Sequence, residues 1–109
     1  MSRRCFALDL ADEAELIAEY ERAHRPGKVW PEVIDHIKAM GITSMEIWRT
    51  GDRLFMIAEV TDDYPRTVDT PAEVERWEKL MLRFQRPLSN AAAGEKWTAM
   101  KRIFRLDEQ

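Results

Sequence analysis

The stretch Thr43-Ser44-Met45-Glu46-Ile47-Trp48-Arg49, the connection Thr50-Gly51-Asp52 and the return Arg53-Leu54-Phe55-Met56-Ile57-Ala58-Glu59-Val60 together decide the fold. Both runs are rich in apolar, aromatic and β-branched residues. The connection is short and carries the glycine that a hairpin turn favours. Two antiparallel strands, 43–49 and 53–60, are therefore predicted. A lone hairpin is marginal in water, so the flanking segments must supply something that covers it.

Upstream, Gly41 reads as the C′ glycine of a helix that starts with Pro31 at its first position, where the missing N–H costs nothing. Val33, Ile34 and Ile37 form its apolar stripe, and Met40 closes its last turn. Before the break at Pro26-Gly27, a longer helix runs from an Asp12 cap to about residue 25. Leu16, Ile17, Tyr20 and His24 form its inward face, and Glu13, Glu15, Glu19 and Arg22 its wet side. A buried strand, Arg4 to Leu10, precedes it.

Downstream, Thr61-Asp62-Asp63-Tyr64-Pro65 breaks the pattern, and the segment to Asp69 has room for a short helical turn. Thr70-Pro71-Ala72-Glu73 reads as a capping box that starts a helix to about Gln85, with Val74, Trp77, Leu80, Met81 and Phe84 facing inward. Residues Arg86 to Trp97 form a connection long enough to act as a lid or an arm. Thr98 to Leu106 is the last strand. The order βαββαβ defines an α+β, ferredoxin-like plan: an antiparallel four-stranded sheet with its main helices on one face. The bare face needs a cover, and two such sheets closing into a dimeric α/β barrel would provide it, so a homodimer is expected.

At 109 residues the chain fits one domain, 1–109, with a modest core. With 45% apolar and 34% charged residues it reads as an ordinary globular chain. No apolar run approaches the roughly 18 residues that span a bilayer, and no secretory h-region follows Met1, so no membrane partner and a cytoplasmic location are expected. The single Cys5 rules out an internal disulfide. A net charge of -3, with both signs interspersed, argues against a nucleic-acid partner, since phosphate binding wants clustered positive charge. A small neutral ligand fits better.

Tyr20 and His24 stand four residues apart on one helix face, so phenol and imidazole can address one small polar ligand. His24 falls where Pro26 ends the helix, and a helix C-terminus favours a cation. The imidazole is accordingly expected to titrate near or slightly above its reference value of about 6.5. Trp30, Trp48, Trp77 and Trp97 are core residues by default, yet flat aromatic faces also pack against sugar rings. Glu32 and His36 have metal-ligand spacing but lack a third partner, so no metal is assigned. Glu46, Glu59 and Arg102 lie in strands, where they face solvent, a partner or a ligand. Neither a phosphate-cradling glycine pattern nor a nucleophile elbow occurs. What remains is proton chemistry without a cofactor.

Tyr20-Glu21-Arg22-Ala23-His24 followed by Val29-Trp30-Pro31-Glu32-Val33 resembles the signature of the L-rhamnose mutarotase family. The likeness continues through Gly41, Met45-Glu46-Ile47-Trp48, Arg53-Leu54-Phe55-Met56, Arg76-Trp77 and Arg102-Ile103-Phe104. It implies a small dimeric ferredoxin-like enzyme that interconverts the pyranose anomers of a deoxy-sugar without a cofactor. By resemblance His24 is the catalytic histidine, Tyr20 contacts the substrate, and Trp77 is the first of a Trp-Trp pair. The pattern departs at Glu78, where the second tryptophan is expected, and at Met45, where the family has a tyrosine. The runs Cys5 to Leu10, Met45 to Trp48 and Gly94 to Trp97 look more like the L-fucose mutarotases that branch from this family.

The expected substrate is thus a monosaccharide, L-fucose ahead of L-rhamnose, contacted by Tyr20, Trp30, Met45, Glu46, Trp77 and Glu78. Mutarotation needs one proton delivered to the ring oxygen and another removed from the anomeric hydroxyl. His24 is expected to supply the protonated form, with the Tyr20 hydroxyl, Glu46 or Glu78 completing the relay. Two rivals share the fold or the pocket: a cofactor-free or haem-handling dimeric-barrel oxygenase, and a sugar-binding protein without catalysis.

Overall fold

The computed structural model describes residues 1–109. Its sheet is organised around β1 (Ser2–Leu10), which pairs antiparallel with β3 (Arg53–Val60) along almost its whole length; β3 in turn pairs antiparallel with β2 (Ile42–Thr50). On its other edge β1 is shared by two short strands, β4 (Gln85–Arg86) beside Asp9 and Leu10, and β5 (Thr98–Ala99) beside Phe6 and Ala7. The resulting order, β2-β3-β1 with β4 and β5 along the far edge, is the ferredoxin-like arrangement with its fourth strand split in two.

Alternation sorts the sheet into two faces. Leu8 is paired with Leu54 and Phe6 with Met56, so these four side chains share one face. The register to β2 adds Met45, Ile47 and Arg49, partners of Ala58, Met56 and Leu54. A bulge between Ile42 and Ser44 inserts one residue, so Ile42 opposite Val60 also turns inward although three positions separate it from Met45. Without that extra residue Ile42 would point away from the core, because a one-residue slip exchanges faces.

Helices α1 (Ala14–Ala23), α2 (Pro31–Ala39) and α3 (Ala72–Met81) cover this inner face. One buried cluster joins all layers: Leu10 and Leu54 from the sheet, Tyr20 from α1, Val33 from α2, and Val74, Trp77, Met81 and Phe84 from α3 and its exit. Fully burying one such aliphatic side chain stabilises by about 1.5–3 kcal/mol, so this cluster dominates the fold's free energy. A second cluster of Ile42, Ala58 and Val60 sits at the other end of the hairpin. Gly41 makes the passage from α2 to β2 possible. At φ +103 it occupies a region that other residues avoid, and a Cβ there would lie 2.4 Å from Thr61 Oγ1.

Several boundaries differ from the sequence expectation. α1 stops at Ala23 and has Glu13, not Asp12, at its N-cap. α3 is capped by Pro71 rather than Thr70, without a side-chain bond, because the Pro71 carbonyl already receives the Val74 and Glu75 amides. α3 also ends four residues early, since Gln85 and Arg86 leave the helix to pair with β1. The Arg86 guanidinium covers the end it leaves, donating to the Leu82, Arg83 and Gln85 carbonyls at 3.2, 3.4 and 2.8 Å. The strand expected over 98–106 pairs only at Thr98 and Ala99, with a last bond from Met100 N–H to Cys5 O at 2.8 Å. Residues 62–69 hold no helix, only a single turn at 62–63 closed by Tyr64 N–H to Thr61 O at 3.1 Å.

Candidate active site

His24 is the C-cap residue of α1, at φ -105 and ψ 7. Its backbone N–H bonds the Glu21 carbonyl at 3.1 Å, so the Tyr20 carbonyl, which an unbroken helix would pair with it, is left without that amide. The His24 ring takes the amide's place, with Nδ1 2.7 Å from Tyr20 O. A carbonyl oxygen only accepts, so Nδ1 carries the hydrogen and Nε2 keeps its lone pair while the ring is neutral. Helix termination thereby fixes both the tautomer and the orientation of the imidazole.

The expectation that the helix end holds this imidazole near or above its ordinary pKa is overturned. Burial pushes it below 6.5 and outweighs the opposing, stabilising bond to Tyr20 O. At neutral pH His24 is therefore a base rather than a cation. The Tyr20 phenol moves the other way, to about 12, chiefly because it is buried, with the Glu78 carboxylate adding to the rise and the Gln85 amide opposing it. It stays a neutral hydroxyl throughout the physiological range.

These groups stand in a file of aromatic rings. The Tyr20 and His24 centroids are 4.2 Å apart at a 31° tilt. Trp77 meets His24 edge-on at 5.5 Å, and Trp30 meets Trp77 in the same manner at 5.2 Å. Phe84 closes the other side of Tyr20 at 5.8 Å. Such edge-to-face contacts add about 0.5–1.5 kcal/mol beyond simple burial and hold the rings in place.

The file borders a cavity of about 950 Å³ between the helices and the inner sheet face. Its size lies in the roughly 300–1,000 Å³ range of small-molecule sites. Phe6, Met45, Ile47, Leu54 and Met56 line it from the sheet, and Tyr20, His24, Val33, Trp77 and Met81 from the helices. Polar groups are few, His36 and Thr70 among them, and several are fixed by bonds. Arg49 Nε bonds Glu21 Oε1 at 2.6 Å and its Nη1 bonds Gly51 O at 2.7 Å. Glu78 is held by an ion pair with Lys96. Lys96 and Trp97 belong to the expected lid or arm, and both pin that connection near the cavity, Lys96 through Glu78 and Trp97 by lining it.

Of the sequence candidates, Tyr20, His24, Met45, Trp77 and Glu78 converge on this cavity. Two do not. Trp30 stands behind Trp77 as a prop and does not line the space. Glu46 pairs with Ile57, one step out of phase with Met45, and so lies on the opposite sheet face. Glu59 shares that outer face, bonded to Arg3 at 3.2 Å, and Arg102 bonds Glu108 at 3.2 Å near the C-terminus. Glu32 and His36 gain no third ligand, since no group of three His, Cys, Asp or Glu side chains gathers anywhere.

The sequence reading missed Gln85 and the Glu21–Arg49 pair. Arg49 left a signal, a charge in phase with Met45 and Ile47 on a strand whose inner face is otherwise apolar. Gln85 left none, because it was assigned to the end of a helix.

An α+β sheet-and-helix layer here places a neutral histidine, a neutral phenol and aromatic walls around a small cavity, groups suited to acid–base work on a small polar ligand. The family profile for L-rhamnose mutarotase matches residues 3–106. An L-fucose mutarotase from Xanthomonas campestris pv. campestris is 47% identical over 99% of this chain and 90% of its own length. A UPF0734 protein from Dictyostelium discoideum is 35% identical, covering 93% of this chain and 86% of its own. The crystal structure of an L-rhamnose mutarotase from Formosa agariphila superposes with a TM-score of 0.70 over 97% of this chain and 99% of that one; at 18% identity this speaks for the fold. The chain belongs to the L-rhamnose mutarotase family and is a sugar mutarotase, an isomerase acting on anomers.

The Tyr20 shift carries a stability consequence. Its folded pKa of about 12 lies above the unfolded 10.0, so the contribution is full below pH 10 and is lost as pH rises toward 12. The loss amounts to about 2–3 kcal/mol. Urea unfolding at pH 9 and pH 12 should show Tyr20→Phe lacking this part of the alkaline decline; equal declines in both proteins would contradict it.

Proposed function

We propose that this protein is a cofactor-independent L-fucose mutarotase, interconverting the α and β pyranose anomers through the open aldehyde. One observation carries the acid–base assignment: His24 donates Nδ1–H to the Tyr20 carbonyl, which leaves Nε2 as the available base beside an aromatic cavity. L-Fucose is preferred over L-rhamnose because the Xanthomonas L-fucose mutarotase is 47% identical over nearly the whole chain. Glu78 and Met45, which stand where the rhamnose pattern has aromatic residues, line the same cavity and give it a different sugar-contacting surface.

In the reaction Nε2 of His24 takes the proton of the anomeric hydroxyl while the Tyr20 hydroxyl donates to the ring oxygen. The C1–O5 bond breaks, C1 becomes an aldehyde carbon, and rotation about C1–C2 exposes its other face. On reclosure O5 attacks that face, its proton returns to Tyr20, and the imidazolium returns its proton to O1. Trp77 packs on the apolar face of the sugar, while Glu78 accepts from its hydroxyls. Each positioned acid or base contributes about 100- to 10,000-fold. Residues 1–109 act as one such domain, in the cytoplasm and without a metal ion. No helix is long and apolar enough to cross a membrane.

Saturation-transfer NMR on L-fucose and L-rhamnose tests the function. Anomer exchange faster than in buffer is expected, with L-fucose the better substrate and His24→Ala reduced at least about 100-fold. Activity should persist below pH 6.5 and fall only as His24 protonates further into acid. Binding of either sugar with exchange left at the buffer rate would favour the non-catalytic reading instead.

The working unit is a homodimer. Trp48, Ile103, Phe104 and Leu106 are 60%, 90%, 61% and 77% exposed, more apolar surface than a free monomer's tail and edge strand keep. The outer sheet face and residues 100–106 form the interface. Sedimentation should give twice the 12.8 kDa chain mass, falling to the monomer on Ile103→Asp with Phe104→Asp; a monomeric wild type at micromolar concentration would contradict it.

A further inference from the structure

Gln85 is the one buried residue with an amide or charged side chain, at 7% exposure, and it lies on the short strand that pairs with Leu10. Its Nε2 donates to the Tyr20 hydroxyl oxygen across 3.4 Å, while its Oε1 is buried with no partner in the chain. A buried carbonyl without a donor is destabilising, and an apolar side chain of the same length would remove that penalty. The polar amide is therefore poorly explained by stability, and its single partner is the phenol beside His24.

We propose that Gln85 is a positioning residue, whose amide occupies the acceptor side of the Tyr20 hydroxyl and so turns the phenolic hydrogen toward the substrate's ring oxygen. A phenol has one hydrogen and one rotatable C–O bond. In an apolar pocket that hydrogen has no fixed direction. A donor held on one side by the β1–β4 pairing sets it, because the hydroxyl's lone pairs then face Gln85 and its hydrogen faces away. The orphaned Oε1 is the counterpart of this arrangement, since an amide whose nitrogen is committed to Tyr20 has its oxygen at the opposite corner. The inference rests on the mutarotase reading but concerns a residue to which that reading assigns no role.

Gln85→Met keeps the length of the side chain and removes both polar ends. It should leave the thermal midpoint unchanged or higher while lowering kcat for L-fucose about 5- to 20-fold, with KM moved much less, because the lost interaction acts at ring opening. In a Tyr20→Phe background the same change should have no further effect on kcat, since the hydroxyl it orients is gone. Gln85→Glu, which accepts from the phenol instead of donating to it, should reduce kcat more than Gln85→Met. Wild-type kcat in Gln85→Met, or an equal loss with and without the Tyr20 hydroxyl, would overturn the inference while leaving the mutarotase assignment standing. A wild-type protein that leaves exchange at the buffer rate would overturn that assignment and this inference with it.

Discussion

The bond from His24 Nδ1 to the Tyr20 carbonyl is the contact on which the site depends. It exists because α1 ends where it does. Pro26 forbids continuation, the His24 amide turns to Glu21, and the carbonyl four residues back is left for a side chain to satisfy. Backbone bookkeeping at a helix end thus becomes chemistry: the same bond chooses the tautomer, aims Nε2 and fixes the ring against Tyr20 and Trp77. A histidine one turn earlier would find its carbonyl neighbours already paired within the helix.

Burial then divides the labour. Desolvation disfavours whichever form is charged, so it lowers the imidazole and raises the phenol, leaving two neutral groups of opposite competence side by side. One is able to accept a proton and the other to donate. An open, wet site would weaken this pairing, since part of the His24 population would be protonated near neutrality, whereas the Tyr20 hydroxyl would stay neutral either way. The walls that produce it are the residues that hold the fold together, because Tyr20, Trp77 and Met81 belong to the core and line the cavity at once.

The hairpin, the helix stripes and the order of elements were legible because each rests on a local period: two for the strands, about 3.6 for Val33 with Ile37 and for Trp77 with Met81. The Tyr20–His24 spacing was legible for the same reason. Glu46 was misplaced for want of register: neighbours in a strand point to opposite faces, and only pairing with Ala58 and Ile57 reveals that Met45 looks in and Glu46 out. The bulge at Thr43 could not be read from local sequence, because a bulge is a property of two strands. Gln85 was missed because helix propensity continues past Met81, whereas the competing pull, the free edge of β1, comes from residues more than seventy positions away. The direction of the His24 shift failed similarly, as the helix terminus is local while the burial is tertiary.

Long-range proton–nitrogen NMR of the His24 imidazole, followed from pH 4 to pH 8, tests the central claim most directly. The account predicts a neutral ring at pH 7 with the hydrogen on Nδ1, and a protonation midpoint below 6.5. A hydrogen on Nε2, or a ring still cationic at pH 7, would contradict it.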